Sequence, residues 1–158
     1  NPHSFFSGLN FEKQISSKLS ISFNSILSYS LVNNPDNSLV KKFTPLISSS
    51  YRLSISNKSI FADDDSLTIQ IIQPHRIENG KMALNIPSLA DKNGNVAYEL
   101  QSINLEPSGR QIDIGLDYIN KYDENLTFGF STNFSRDYGH VSKSSIEKAV
   151  TITGLFKF

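Results

Sequence analysis

The chain has 158 residues, of which 15 are basic, 15 are acidic and none is cysteine. A net charge of zero gives no long-range attraction for nucleic acid or an anionic surface, and the lack of cysteine excludes disulfides, thiolate metal sites and thiol nucleophiles. No apolar run approaches the roughly 18 residues that a membrane-spanning helix needs.

Apolar and polar side chains alternate along most of the chain, at the period of two that is typical of β-strands, and no helical period of 3.6 is convincing. In chain order the alternation predicts nine strands, at residues 5–11, 19–31, 47–56, 67–72, 81–86, 96–105, 111–118, 126–135 and 149–158. We therefore expect an all-β, antiparallel fold, with residues 1–158 as a single domain or the C-terminal part of one.

Turn-forming clusters separate these strands, at residues 33–37, 62–65, 78–80, 91–95, 107–109 and 122–125. Strands joined by such short links are expected to be antiparallel neighbours. Asn79-Gly80 predicts a hairpin, and Gly109 permits a positive φ in the turn that Pro107 begins. Gln73-Pro74 is expected near a strand end, because proline donates no ladder hydrogen bond.

Alternation does not say whether the apolar face meets lipid or a second sheet, but three features favour lipid. Several runs reach about 9–11 residues, the length of a tilted membrane strand. Charged residues occur among the polar faces, where an aqueous lumen tolerates them. Those expected to face the lumen are Arg52, Glu99, Asp113, Asp117 and Lys157. Aromatic residues near strand ends, as in an interfacial girdle, are Tyr29, Phe61, Tyr118, Phe134, Phe156 and Phe158.

Three motifs occur in order after residue 66: Gln73–Gly80 (QPHRIENG), Leu105–Asp113 (LEPSGRQID) and Asp137–Val141 (DYGHV), followed by an aromatic terminus. Together they resemble the C-terminal half of an autotransporter β-domain from Gram-negative bacteria, of the type that follows a subtilisin-like passenger. The residues that carry this resemblance are Gln73, Pro74, Arg76, Gly80, Pro107, Ser108, Gly109, Arg110, Gly139 and His140.

The resemblance implies a transmembrane barrel of about a dozen strands in the bacterial outer membrane, of which this chain supplies the last eight or nine. Such a barrel is not an enzyme; it anchors a passenger and helps to export it. Its expected partners are outer-membrane lipid and lipopolysaccharide, the barrel assembly machinery and an upstream passenger, with no nucleic acid. Phe156 and Phe158 would form the C-terminal assembly signal.

The expected topology places the strand that ends at Phe158 towards the periplasm. Residues 137–148 and 33–44 would then be outer loops, and residues 122–125 and 63–65 periplasmic turns. Closed bacterial barrels have an even number of antiparallel strands, and Asn1-Pro2-His3 lacks the features of a signal peptide. We therefore expect a mature or excised fragment that is preceded by further strands.

Candidate catalytic, cofactor and metal residues are all rejected at this stage. His3, His75 and His140 lack partners at metal-ligand spacing, and residues 63–65 (DDD) lack the rest of a calcium loop. Ser108 is not in a nucleophile motif. Two other interpretations remain open: a small closed outer-membrane barrel with a porin, adhesin or structural role, and a secreted soluble β-sandwich that binds carbohydrate or protein.

Overall fold

The computed structural model describes residues 2–33 and 39–157, and this part of the chain contains ten β-strands and one 3-10 helix. The strands are β1 (His3–Gln14), β2 (Leu19–Leu31), β3 (Val40–Phe43), β4 (Leu46–Lys58), β5 (Asp65–Asn79), β6 (Lys81–Ala90), β7 (Val96–Asn104), β8 (Ile112–Lys121), β9 (Leu126–Arg136) and β10 (Glu147–Phe156). The short helix is Tyr138–His140. Within the described residues, no helix has the length and apolar character to cross a membrane. The predicted all-β class with antiparallel sheets is confirmed.

The strands form two sheets. Seven strands lie in the order β1-β2-β4-β5-β8-β9-β10, and three lie in the order β3-β6-β7. The smaller sheet is built from segments that interrupt the larger one in sequence, because β3 lies between β2 and β4 and the β6–β7 pair lies between β5 and β8.

All nine predicted strands are present, and β3 is the addition. Residues 33–44 were expected to form only a loop, but Val40–Phe43 pairs with Met82–Leu84 of β6 across an irregularity between Val40 and Lys42. The strand has four residues, two of them lysines, which is too short to produce an alternating pattern. Its partner lies about 40 residues further along the chain, so local sequence could not indicate the pairing.

The rule that short links join neighbouring strands holds for β4–β5, β6–β7 and β8–β9. It is wrong for β5–β6 and for β7–β8, which are not neighbours in either sheet. Neither Asn79-Gly80 nor the PSGR segment therefore makes a hairpin. Among the described glycines, positive φ occurs at Gly94 and Gly139, so Gly109 does not use the conformation predicted for it. A Cβ at Gly80 would meet the end of the Leu46 side chain, which would have to move.

The expectation that Gln73-Pro74 ends a strand is also wrong, since β5 continues to Asn79. The pairing of β5 with β8 ends at Ile72, opposite Asp113. Pro74 lies beyond that ladder, so its missing N–H removes no hydrogen bond to β8.

Contacts group the chain into two compact units, and the single-domain assignment stays a prediction. Unit 1 comprises Asn1–Ser7, Leu27–Ser49 and Arg76–Pro107, and it contains the three-stranded sheet. Unit 2 comprises Gly8–Ile26, Ser50–His75 and Ser108–Phe158, and it contains β8, β9 and β10.

Burial is reversed relative to an ordinary soluble domain. Among the described residues no apolar side chain is buried. The buried side chains are polar or charged: Ser28, Ser48, Ser54, Asp65, Gln73, Arg76, Gln111 and Ser135. Soluble proteins seldom bury such groups, and then only with partners. The partners of these groups, rather than a hydrophobic core, organise the sites described below.

Candidate functional site

The strands β5, β8, β9 and β10 of unit 2 present a mostly apolar face. Their register aligns the rows Ile71–Ile114–Phe134–Lys148, Ile69–Leu116–Thr132–Val150 and Leu67–Tyr118–Phe130–Ile152. The face is uncovered, since Ile114 is 52% exposed, Phe134 46% and Ile152 67%. Burying such a side chain is worth about 1.5–3 kcal/mol, so this face is a strongly favourable surface for an apolar environment.

The opposite face of the same strands is polar. Its rows are Ile72–Asp113–Ser135–Glu147, Gln70–Gly115–Asn133–Ala149 and Thr68–Asp117–Ser131–Thr151. Strand β4 continues it, because the Ser56 and Thr68 hydroxyls are hydrogen-bonded at 2.8 Å. Ser135 on this face is only 3% exposed, whereas the adjacent Phe134 on the other face is 46% exposed. The polar face is thus lined with hydroxyl and amide groups around the carboxylates of Asp113 and Asp117, with Glu147 at its β10 edge.

Amide side chains, rather than basic groups, satisfy the two carboxylates. Gln70 Nε2 donates to Asp117 Oδ2 at 2.6 Å, and Gln111 Nε2 donates to Asp113 Oδ1 at 2.8 Å. A Cβ at Gly115 would lie 3.0 Å from Gln70 Cγ, so the glycine leaves the space through which Gln70 reaches Asp117.

Two of the three sequence motifs meet in unit 2, where residues 137–146 (the β9–β10 loop) pack on residues 108–111, which are the last three residues of the PSGR segment and Gln111. Gly109 N donates to His140 O at 2.8 Å, and Gly139 N donates to Gln111 Oε1 at 2.8 Å. Ser142 N donates to Ser108 Oγ at 3.1 Å. A Cβ at Gly109 would lie 2.5 Å from Ser142 N, so Gly109 serves this close contact.

The first motif contributes through Gln73 and the backbone of His75. Arg110 Nη1 donates to Gln73 Oε1, and Gln73 is fully buried. The ring of His140 spans the segments: Gln111 N donates to its Nδ1 at 3.0 Å, and its Nε2 lies 3.0 Å from His75 O. Gln73 and Arg110, like Gly109 and His140, are therefore structural partners that come from different sequence motifs.

A charge cluster around the buried Arg76 occupies unit 1. Arg76 is 6% exposed, and its Nη1 lies 2.6 Å from Glu78 Oε2 while its Nη2 lies 3.2 Å from Glu106 Oε1. Nη2 also donates to Pro107 O at 3.0 Å, and Ser49 Oγ donates to Glu78 Oε1 at 2.6 Å. Because a buried guanidinium needs several acceptors, Arg76 fixes where the segment after β7 meets β5.

A carboxylate organises the turn between β4 and β5. Asp65, 3% exposed, accepts the backbone N–H groups of Ile60, Phe61 and Ala62 at 2.7, 2.8 and 2.9 Å. The Tyr118 hydroxyl also donates to Asp65 Oδ2 at 3.1 Å. The rings of Phe61 and Tyr118, two of the aromatic residues expected at strand ends, meet edge to face at 5.8 Å.

The other site residues expected from sequence are dispersed. Arg52 is exposed and shares the strand parity of Ser54 and Ser56. Glu99 lies opposite Ile86 in the three-stranded sheet. Lys157 follows β10, and its N–H donates to Asn125 O at 2.9 Å. Phe156 is 64% exposed, and Phe158 lies outside the described residues. The lumen-facing role of this set stays a prediction.

Metal-ligating side chains do not converge within the part of the chain that the structure describes, where no group of three or more His, Asp or Glu could hold an ion. The Asp91 carboxylate in the β6–β7 turn accepts hydrogen bonds from the backbone N–H groups of Asn93 and Asn95 and from the Asn95 side chain. The Asn95 side chain, followed by its backbone N–H, holds the pKa of Asp91 below its usual value.

Sequence reasoning missed Gln70, Gln111, Asp65 and the acceptors of Arg76. Gln70 and Gln111 lie on alternating runs as ordinary polar residues. Only the register brings Gln70 near Asp117, whereas Gln111 reaches Asp113 two residues along the chain. Asp65 carried one available signal, because an aspartate at the end of a turn often accepts nearby backbone N–H groups.

Comparison with protein-family models, with curated proteins and with solved structures returns no match.

Proposed function

We propose that the chain is part of an outer-membrane β-barrel translocator that anchors a passenger and helps to export it. The observation that carries the proposal is the reversed burial: apolar side chains are exposed on one sheet face, while polar and charged ones are shielded. The motif resemblance supplies the more specific role.

The apolar face of unit 2 favours lipid over water. In a soluble β-sandwich this face would be covered by a second layer and would form the core. Here Ile69, Ile114 and Phe128 are 48%, 52% and 44% exposed. A membrane barrel needs such a face, because hydrocarbon then solvates it. Lipid and lipopolysaccharide are the partners that fit this surface.

The polar face suits an aqueous lumen. Neutral hydroxyl and amide groups dominate it, and its carboxylates Asp113 and Asp117 already accept amide hydrogen bonds. Such a wall can exchange hydrogen bonds with water or with a passing polypeptide without binding either tightly. In this proposal the passenger and the assembly machinery are transient partners and no reaction is catalysed.

The strand count favours a barrel larger than the seven-stranded sheet. With antiparallel neighbours, its edge strands β1 and β10 run parallel to each other, and every described residue in both is exposed. Bacterial barrels close with an even number of antiparallel strands. We therefore propose that additional strands complete a barrel of about a dozen strands.

The first experiment tests the membrane assignment. The chain is refolded in plain buffer, in detergent micelles and in phospholipid vesicles, and folding is followed by circular dichroism and heat-modifiable migration on gels. We expect folding to require micelles or vesicles. A monomeric chain that folds in plain buffer would support the soluble sandwich and would contradict the barrel.

The second experiment tests export. The natural polypeptide that contains this chain is expressed in a Gram-negative host, and protease is added to intact cells. Cleavage of residues upstream of the barrel, with the barrel itself protected, is expected for a translocator. Ion conductance in vesicles without any surface-exposed upstream segment would instead support the small porin-like barrel.

A further inference from the structure

The β9–β10 loop is held on the PSGR segment by contacts of two kinds. Three contacts use backbone and neutral side-chain groups, namely Gly109 N to His140 O, Gly139 N to Gln111 Oε1 and Ser142 N to Ser108 Oγ. None of these groups changes its charge between pH 5 and 8. The remaining contacts use the ring of His140, and imidazole is the side chain whose charge ordinarily changes in that range.

The partners of His140 determine which ring nitrogen carries the proton. The backbone N–H of Gln111 can only donate, so Nδ1, 3.0 Å away, must be the acceptor. The backbone carbonyl of His75 can only accept, so Nε2, also 3.0 Å away, must carry hydrogen. The closed loop therefore requires the neutral imidazole with its proton on Nε2.

We propose that His140 is a pH-operated latch that holds the β9–β10 loop closed near neutral pH and releases it in acid. When the ring gains its second proton, Nδ1 becomes an N–H group that points at the backbone N–H of Gln111. The hydrogen bond is then lost, and two donors repel each other at the same site. The proposal concerns unit 2 alone and does not depend on the translocator function.

The charged groups on the elements packed against His140 have other partners. Both ring nitrogens face neutral backbone groups. On the PSGR segment the Arg110 guanidinium is bound to Gln73, and on β8 the Asp113 carboxylate is bound to Gln111. In the loop, Asp137 Oδ1 accepts Lys143 N at 3.0 Å, and Oδ2 lies 3.8 Å from Arg136 Nε.

The backbone of the loop also favours release once a contact is lost. Asp137, His140 and Lys143 have φ values of 51°, 60° and 60°. Non-glycine residues adopt such left-handed conformations at a cost, and surrounding contacts must hold them there. The latch therefore acts on a segment that can relax when it opens.

Hydrogen exchange on the full chain, folded in the detergent or vesicles that support it, tests the latch. Exchange of peptides covering residues 108–113 and 137–146 is measured at pH 8 and pH 5 and corrected for intrinsic rates. We expect the protection of these peptides to fall about tenfold at pH 5, the equivalent of one net hydrogen bond. The β9 peptide 126–135 serves as an internal control that stays protected.

Two variants of His140 and one of His75 show whether the pH-dependent change in protection comes from the His140 ring. His140→Asn tolerates a left-handed φ and supplies a carbonyl acceptor that does not titrate, so protection should not depend on pH. His140→Ala should be unprotected at both pH values. His75→Gln keeps the backbone carbonyl that His140 uses, so its pH response should match that of the wild type.

Equal protection of the wild-type loop at pH 8 and pH 5 would overturn the proposal. So would a drop of the same size in His140→Asn, or loss of the drop in His75→Gln. If His140→Ala fails to fold, as judged by circular dichroism, the comparison between wild type and His140→Asn decides the outcome.

Discussion

At the scale of single residues, Asp65 shows how one buried carboxylate can hold a turn through hydrogen bonds from the backbone. Its two oxygens accept three consecutive backbone N–H groups and the Tyr118 hydroxyl. The β4–β5 turn thus depends on one side chain whose partners have no obvious alternative acceptor.

Asp65→Asn should therefore destabilise the fold, because an amide retains one acceptor oxygen and places a donor against backbone N–H groups. We expect the ratio of folded to unfolded protein to fall by about 5–30-fold, measured by urea titration in the folding detergent. Asp64→Asn is the matched control, since the contact of Asp64 is made by its backbone carbonyl. Equal losses in both variants would contradict the role given to Asp65.

Gly109 is a second residue whose role is steric. Gly109→Ala would place a Cβ 2.5 Å from Ser142 N and 2.8 Å from Val141 C, so the loop must shift. We expect a loss of about 1–3 kcal/mol in the free energy of unfolding. At Gly8 a Cβ would meet only Ser25 O, at 3.7 Å, and Gly8→Ala should be tolerated. A Gly109→Ala variant as stable as Gly8→Ala would refute the close contact.

At the scale of elements, the β6–β7 hairpin carries its own acid-sensitive turn. Hydrogen bonds from the Asn95 side chain, then from the Asn95 and Asn93 backbone N–H groups, lower the pKa of Asp91. Because the folded pKa is depressed, the stabilisation is present above the unfolded value of about 4 and is lost as the pH falls through the lower folded value.

We therefore expect exchange protection in residues 91–95 to stay constant between pH 8 and pH 5 and to fade only below about pH 4. Asp91→Asn should show no such acid transition. The β9–β10 loop is expected to respond between pH 8 and pH 5 instead, so the two elements have separate pH windows. A common transition would indicate global unfolding rather than two local events.

At the scale of the whole molecule, substitutions on the two faces of the sheet test whether the apolar face contacts lipid. Phe128→Lys and Ile114→Lys put a charge on the apolar face, and each should cost about 2–4 kcal/mol near the bilayer midplane. Ser131→Lys places the same charge on the polar face, opposite Asp117, and should cost much less. Urea titration of the protein folded in phospholipid vesicles measures all three.

The choice of control matters in this comparison. Gly115 also lies on the polar face, but a side chain there would press on Gln70, so a lysine at Gly115 would mix steric and charge effects. Equal penalties at Phe128 and Ser131 would argue against a lipid-facing surface.

Most strand positions could be predicted from the local alternation of apolar and polar side chains. The runs at 112–118 and 126–135 were long and regular, because one face of each strand is apolar throughout. The errors occurred where distant pairing overrides local signals: β3 is too short to show a period, and Asn79-Gly80 resembles a hairpin between strands that are not neighbours. Glycine itself does not reveal whether it serves a turn or a close contact.

The sequence by itself determined the all-β class, most strand positions and the division of each strand into an apolar and a polar face, because side-chain alternation is a local property of the backbone. Only the tertiary structure decided which strands are neighbours and that Gln70 satisfies Asp117. It also decided that His140 binds two distant backbone groups. These contacts join residues far apart in the chain, and their geometry depends on a register that no local pattern specifies.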